Sequence, residues 1–155
     1  MLPKVKVFVW RMFHLALPVA THLIFWKVRV PLCCSQSGEE SETPEHELFS
    51  CSGLIPVWHR LGVWSVLCRC VYGLMQEILL FLFDRLPHEA FELMMTTLWW
   101  LWYDRNSDLF GNKQSRLDVI PDLVNNHLEE FNEYGRRGLY LGLDPVNPVV
   151  NRATR

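Results

Sequence analysis

Residues 31–58 read PLCCSQSGEESETPEHELFSCSGLIPVW, and this stretch limits the fold more than any other part of the chain. Two adjacent cysteines, Cys33 and Cys34, precede an acidic polar loop, and His46 and Cys51 follow it. Small structural zinc sites use four Cys or His ligands, which usually come as two close pairs on either side of a loop. The stretch therefore predicts a small, irregular, zinc-knuckle-like loop.

The spacing leaves the identity of the ligands open. Cys33, His46 and Cys51 supply three of the four ligands. Cys34 is a candidate for the fourth, although adjacent cysteines rarely both reach one ion. A donor from elsewhere in the chain is also compatible with the pattern, either His14 or His22. The competing interpretation is structural, with the cysteines as buried thiols and His46 on the surface near a turn.

Positive charge is concentrated at the N-terminus. Residues 1–30 carry five Lys and Arg residues and no acid, whereas the rest of the chain holds the other 10 basic residues and all 17 acidic ones. A basic segment attracts phosphate through release of counterions, so Lys4, Lys6 and Arg11 are candidate nucleic-acid-binding residues. The alternative is a solvated helix face. The acidic run at 39–47 is expected to be solvated surface.

Composition and motifs argue against several classes of protein. Five cysteines without a convincing secretory signal indicate a reducing compartment, so an intracellular protein of the nucleus or cytosol is expected. Charged residues interrupt the most apolar stretches, and no membrane span is predicted. The sequence has no glycine-rich phosphate loop, no Gly-x-Ser-x-Gly elbow and no recognisable set of spaced aspartates. We therefore predict that the chain is not an enzyme.

Apolar periodicity predicts a mainly α-helical chain that ends in a loose linker. Alternation of Val5, Val7 and Val9 would also fit a strand, but the helical pattern is longer. The predicted helices cover, in chain order, residues 3–16, 19–28, 56–83, 87 to about 111, and 121–134.

Some details of these helices are also predicted. Leu23 and Trp26 should face inward from the second helix. Gly62 and Gly73 weaken the third helical segment and are expected to divide it into two pieces. The fourth helix is the clearest, because Pro87 suits its first turn and its apolar residues form a stripe. That stripe consists of Phe91, Met94, Met95, Leu98 and Trp102.

Three pieces of the sequence, taken in order, resemble a known family. They are PKVKVFVWR at 3–11 with LALP at 15–18; VPLC at 30–33 with ETPEH at 42–46, HELFSC at 46–51 and VW at 57–58; and LWWLWYDRN at 98–106 with Phe110. They resemble the reverse-transcriptase zinc-binding domain of plant non-LTR retrotransposons and the region downstream of it. The family patterns are "PPKVKxFLWR…LPT", "CPLC", "E-S/T-x-x-H", "HLFxxC…VW" and "LWxIWxxRNxxxF".

The resemblance implies a retrotransposon-derived, non-catalytic accessory module that binds zinc. Cys33, His46 and Cys51 match three ligand positions of the family, and Val30 stands where the family has its first cysteine. RNA or DNA, bound weakly, and neighbouring retroelement domains are the implied partners. An inert remnant or a protein-interaction fragment, with neither metal nor nucleic acid, is the alternative.

The same resemblance predicts how the chain is divided. Residues 1–60 would form the degenerate zinc-binding-like module, and residues 61–134 a helical connecting region. Residues 135–155 would be a linker toward an RNase H domain that the chain lacks.

Overall fold

The computed structural model describes residues 1–29, 33–34, 37–38, 43–109 and 119–140. These residues contain seven α-helices and no β-strand, which confirms the mainly α-helical class. The helices are α1 (Pro3–Phe13), α2 (Ala20–Phe25), α3 (Ile55–Arg60), α4 (Trp64–Leu67), α5 (Met75–Arg85), α6 (His88–Leu109) and α7 (Ile120–Tyr140). A π-helical turn (His46–Ser50) and a 3₁₀ turn (Ser52–Leu54) lead into α3.

Helix α1 begins as predicted but ends early. Proline at its first turn costs no hydrogen bond, because the first N–H groups of a helix have no partner within it. The helix stops at Phe13 rather than near residue 16, and Leu15 adopts a left-handed φ of 53° that no α-helix can include. Val5, Phe8 and Met12 form the buried face, as their spacing indicates.

The prediction for the second helix is correct in position and wrong for one side chain. Helix α2 covers Ala20–Phe25, within the predicted range. Trp26 is exposed rather than inward. The helix ends at the preceding residue and Lys27 takes a φ of 62°, so helical periodicity no longer determines where the Trp26 side chain lies.

The middle of the chain is divided at its glycines, as predicted, but into three helices, α3, α4 and α5, rather than two pieces. Gly62 follows α3 with a φ of +71°, a conformation that costs glycine little. The N–H of Val63 then donates to the carbonyl of Trp58 at 3.1 Å, which closes a Schellman motif at the end of the helix. Gly73 lies before α5, where an added Cβ would come within 3.1 Å of the Cys70 carbonyl oxygen.

Helix α6 is the centre of the fold. α1 and α5 both pack against it, and α7 packs against α6 and α3. The predicted stripe is correct for its buried members, Met94, Met95, Leu98 and Trp102, while Phe91 is partly buried. The predicted stop at Gly111 lies outside the described residues.

The last helix is longer than predicted. α7 continues past the expected end near Tyr134 to Tyr140, through Gly135 and Gly138. The rest of the predicted linker, residues 141–155, lies outside the described part of the chain. None of the described helices is long and apolar enough to cross a membrane.

One hydrophobic core connects the knuckle to the helices. Leu48 and Phe49 of the π-helical turn are fully buried in the same cluster as α1, α5 and α6. The N–H of the Trp58 indole donates to the Phe49 carbonyl at 3.2 Å, which ties α3 to the π-helical turn. The π-helical turn of the knuckle is therefore packed on α6.

Candidate metal centre

Three side chains of the types that bind zinc meet in the knuckle. Cys34, His46 and Cys51 are each at most 6% exposed, and one ligand atom from each lies within 4.8 Å of the other two. The two sulfurs are 3.8 Å apart. A tetrahedral Zn²⁺ with Zn–S bonds of about 2.3 Å would hold two sulfurs about 3.8 Å apart. The two sulfurs are therefore spaced as a zinc ion would hold them.

The π-helical turn explains why His46 and Cys51 converge. On an α-helix of 3.6 residues per turn, residues five apart point about 140° away from each other. Here the N–H of Cys51 donates to the carbonyl of His46 at 2.9 Å, an i→i+5 bond that closes a wider turn. The hydroxyl of Thr43 accepts a hydrogen bond from the His46 N–H at 3.1 Å and fixes the start of the turn.

The environment of Cys51 favours its thiolate. Its pKa is lowered from 9.0 to about 6, chiefly because the Cys34 thiol hydrogen-bonds to it. Burial opposes this shift, the backbone N–H of Gly53 supports it, and the negative charge of Glu47 opposes it. Since the thiolate is the form that binds metal, Cys51 is a ready ligand at neutral pH.

A buried ion pair lies beside the cluster. One carboxylate oxygen of Glu47 lies 3.4 Å from the Cys34 sulfur, a second possible acceptor for its single S–H, and the other oxygen lies 3.8 Å from Nε of Arg105. Both side chains are at most 3% exposed. Arg105 belongs to α6, so the pair connects the candidate ligands to the central helix. Carboxylates of this kind commonly orient metal ligands and tune their basicity.

The expectation of a solvated acidic surface at 39–47 is wrong for Glu47, which is one of the most buried charged residues described. Its burial is compensated by Arg105, a partner 58 positions later in the chain. His46 is likewise buried rather than on the surface. No local sequence signal distinguishes Glu47 from the other acids of the run, because its partner comes from a distant helix.

The structure brings some of the predicted ligands together and leaves others apart. Cys34 joins His46 and Cys51, whereas Cys33 is exposed and outside the cluster. The alternative donor His14 is exposed on α1's C-terminal side, with its ring 4.4 Å from that of Trp10. The side chain of His22 and residue 30 lie outside what the structure describes.

The predicted nucleic-acid-binding residues are all exposed on α1. Lys4 extends toward α6, where its ammonium lies 4.0 Å above the ring of Trp99. Arg11 borders the same side of α1. Lys6 lies two positions from Lys4 and therefore points to a different side of the helix.

These features define a small helical module with a buried thiol–imidazole cluster. Residues 1–58 match the family described as zinc-binding in reverse transcriptase. The match covers α1 and all three clustered ligands, and it supports a reverse-transcriptase zinc-binding domain in this part of the chain. That family is an accessory zinc-binding domain and is not itself catalytic. No curated protein and no solved structure gives a significant match to the chain.

Proposed function

We propose that the chain is a non-catalytic, retrotransposon-derived accessory module that holds one zinc ion and binds RNA or DNA weakly. Cys34, His46 and Cys51 would hold the ion, and Lys4, Lys6 and Arg11 would attract the nucleic acid. The observation that carries the proposal is the sulfur–sulfur distance of 3.8 Å in a buried cluster that also contains a histidine. The family match over residues 1–58 supports the zinc-binding part of the proposal.

Charge balance also favours zinc in this cluster. Two thiolates and one neutral imidazole carry a charge of about −2, which a divalent ion neutralises. The adjacent pair of Glu47 and Arg105 is neutral by itself. A neutral complex can be buried at much lower cost than an isolated ion. With valine at position 30, the fourth coordination position is left to water or to a further side chain.

Zinc content and zinc-dependent stability test the metal part of the proposal. Protein purified without added chelator should contain one zinc per chain. Because the metal binds the folded chain, each tenfold rise in free zinc above the dissociation constant should add about 1.4 kcal/mol to the free energy of unfolding. Protein that contains no zinc and gains no stability from it would contradict the proposal. Val30→Cys should bind zinc more tightly, since it adds a third thiolate as a fourth ligand.

Salt dependence tests the nucleic-acid part separately. Three phosphate contacts to a single strand predict that the logarithm of affinity falls with the logarithm of salt concentration with a slope of about −2. Fluorescence anisotropy of labelled RNA and DNA oligonucleotides at several salt concentrations measures this slope. Absent binding at low salt, or binding that salt leaves unchanged, would refute this part and leave the zinc site untouched.

A protein-interaction fragment is the second candidate function. Large apolar side chains are exposed on and just after α2, Phe25 and Trp26, and on the outer face of α5, Leu80 and Phe83. Such faces commonly pack on a neighbouring domain. Under this proposal the chain self-associates in sedimentation experiments, contains no zinc, and becomes monomeric when a neighbouring retroelement domain is supplied. A zinc-containing monomer that remains soluble alone would rule it out.

A further inference from the structure

A groove of about 390 Å³ runs between α1 and α6, away from the metal centre. Its lining is aromatic and basic: Lys4, Val7, Phe8, Arg11, Leu17, Trp99, Trp102, Tyr103 and Asn106. Two of these residues are positively charged and none is acidic. The groove therefore combines an apolar surface with a positive rim.

An aromatic platform forms the α6 side of the groove. Trp99 and Tyr103 are four positions apart, so they lie on the same face of the helix. Their rings are stacked, with centroids 5.5 Å apart and an interplanar angle of 22°. The Lys4 ammonium lies over the Trp99 ring, while Tyr103 is 53% exposed. Tyr103 is thus the ring on which a further planar group can stack.

The periodicity of α1 places its basic residues on different faces of the helix. Lys4 and Arg11 are seven residues apart, which places them on one face about 10.5 Å from each other along the axis. Both line the groove. Lys6 is turned about 200° from Lys4 and does not contribute to the lining. The three basic residues are therefore not equivalent.

We infer that this groove binds single-stranded nucleic acid, with a base stacked on Tyr103 and the phosphates on either side of it against Lys4 and Arg11. This inference rests on the proposed function, which assigns nucleic-acid binding to three basic residues of α1 but to no groove and no stacking ring. Stacking on aromatic side chains requires a base with an open face, which a single strand offers and a duplex does not. Every base has such a face, so binding tolerates changes of sequence.

Variants that differ by a single chemical group test the inference. Their binding is measured at low salt by fluorescence anisotropy, with a labelled 12-nucleotide oligo(dT) and with a duplex of the same length. Tyr103→Ala should weaken binding of the single strand at least about fivefold, the lower end of the effect of removing one stacking ring. Tyr103→Phe keeps the ring and should bind within about twofold of the original chain. Tyr72→Ala is the control, because Tyr72 is 91% exposed and outside the groove.

A second matched pair of variants tests the basic residues of α1. Lys4→Gln and Lys6→Gln remove the same charge from the same helix. Lys4→Gln should weaken binding more than Lys6→Gln and should reduce the steepness of the salt dependence by about 0.7. Far-ultraviolet circular dichroism of all variants confirms that they remain folded.

The outcomes separate this inference from the proposed function. Two results would overturn the assignment to this groove and leave nucleic-acid binding intact. One is that Tyr103→Ala weakens binding no more than Tyr72→Ala does. The other is that Lys4→Gln and Lys6→Gln weaken binding equally. Preference for the duplex also overturns it. If the original chain binds no nucleic acid at low salt, the nucleic-acid part of the proposed function fails, and the inference fails with it.

Discussion

Replacing Arg105 with methionine removes one charge of the buried ion pair beneath the candidate metal centre. Methionine keeps an apolar chain beside Trp102, over whose ring the guanidinium carbon lies at 4.8 Å. Glu47 is then left as a buried charge without Arg105. At 3.8 Å and an effective dielectric constant of about 20, the lost attraction is about 4 kcal/mol. Broken buried ion pairs cost about 3–5 kcal/mol, which agrees.

Urea unfolding measures this loss through the fluorescence of the seven tryptophans. A chelator is present throughout, so that metal affinity does not contribute. With a denaturant slope of about 2 kcal/mol per molar, the midpoint should fall by about 2 M. The matched control is Arg60→Met, which breaks the ion pair of Arg60 with Asp122. That pair also connects two elements and is shorter, at 2.6 Å, but both side chains are exposed.

The comparison between these two variants is decisive. Exposed pairs contribute about 0.2–1 kcal/mol, so Arg60→Met should shift the midpoint by less than about 0.5 M despite its shorter distance. The double variant Glu47→Leu with Arg105→Met should recover much of the lost stability, because neither charge of the pair remains buried. Equal losses for Arg105→Met and Arg60→Met would refute the reasoning that burial decides the effect.

Three further perturbations follow from the knuckle and its attachment to α3. Gly62→Ala should cost about 1–2 kcal/mol in urea unfolding, from backbone strain alone, because nothing lies within 4 Å of the added Cβ; an unchanged midpoint would contradict this. Trp58→Phe should cost about 1–3 kcal/mol by leaving the buried carbonyl of Phe49 without its indole donor; a loss below about 0.5 kcal/mol would contradict it. In metal-free protein, thiolate absorbance at 240 nm should show a step of one thiolate with a midpoint near pH 6, and this step should vanish in Cys51→Ser. Since this pKa lies below the ordinary value of 9.0, the stability it contributes is lost as the pH falls through about 6, and a midpoint above pH 8 would contradict the assignment.

The helices that the sequence predicts best are those whose signals are local. Helix α6 has a proline before its first turn, an acid within that turn and a continuous apolar stripe, and all of these act within the helix itself. The early end of α1 depends instead on the left-handed turn at Leu15, which no residue type there requires. Trp26 is exposed because α2 ends one residue before it, and helix ends are where periodicity gives least information.

The sequence locates the candidate site but does not identify all of the residues that form it. His46 and Cys51 have a recognisable spacing, and the family resemblance supports it. Which of two adjacent cysteines faces them depends on the backbone between them, and the structure turns Cys34 inward. Glu47 and Arg105 come together only when α6 packs on the knuckle, so no pattern within either segment indicates the pair.

The zinc content of Cys33→Ser and Cys34→Ser, measured side by side with the original chain, tests the account most directly. Both variants lose one thiol from the same dipeptide, and only Cys34 faces His46 and Cys51. The account predicts one zinc per chain in the original protein and in Cys33→Ser, and loss of zinc in Cys34→Ser. Zinc retained by Cys34→Ser and lost from Cys33→Ser, or no zinc in the original chain, would contradict it.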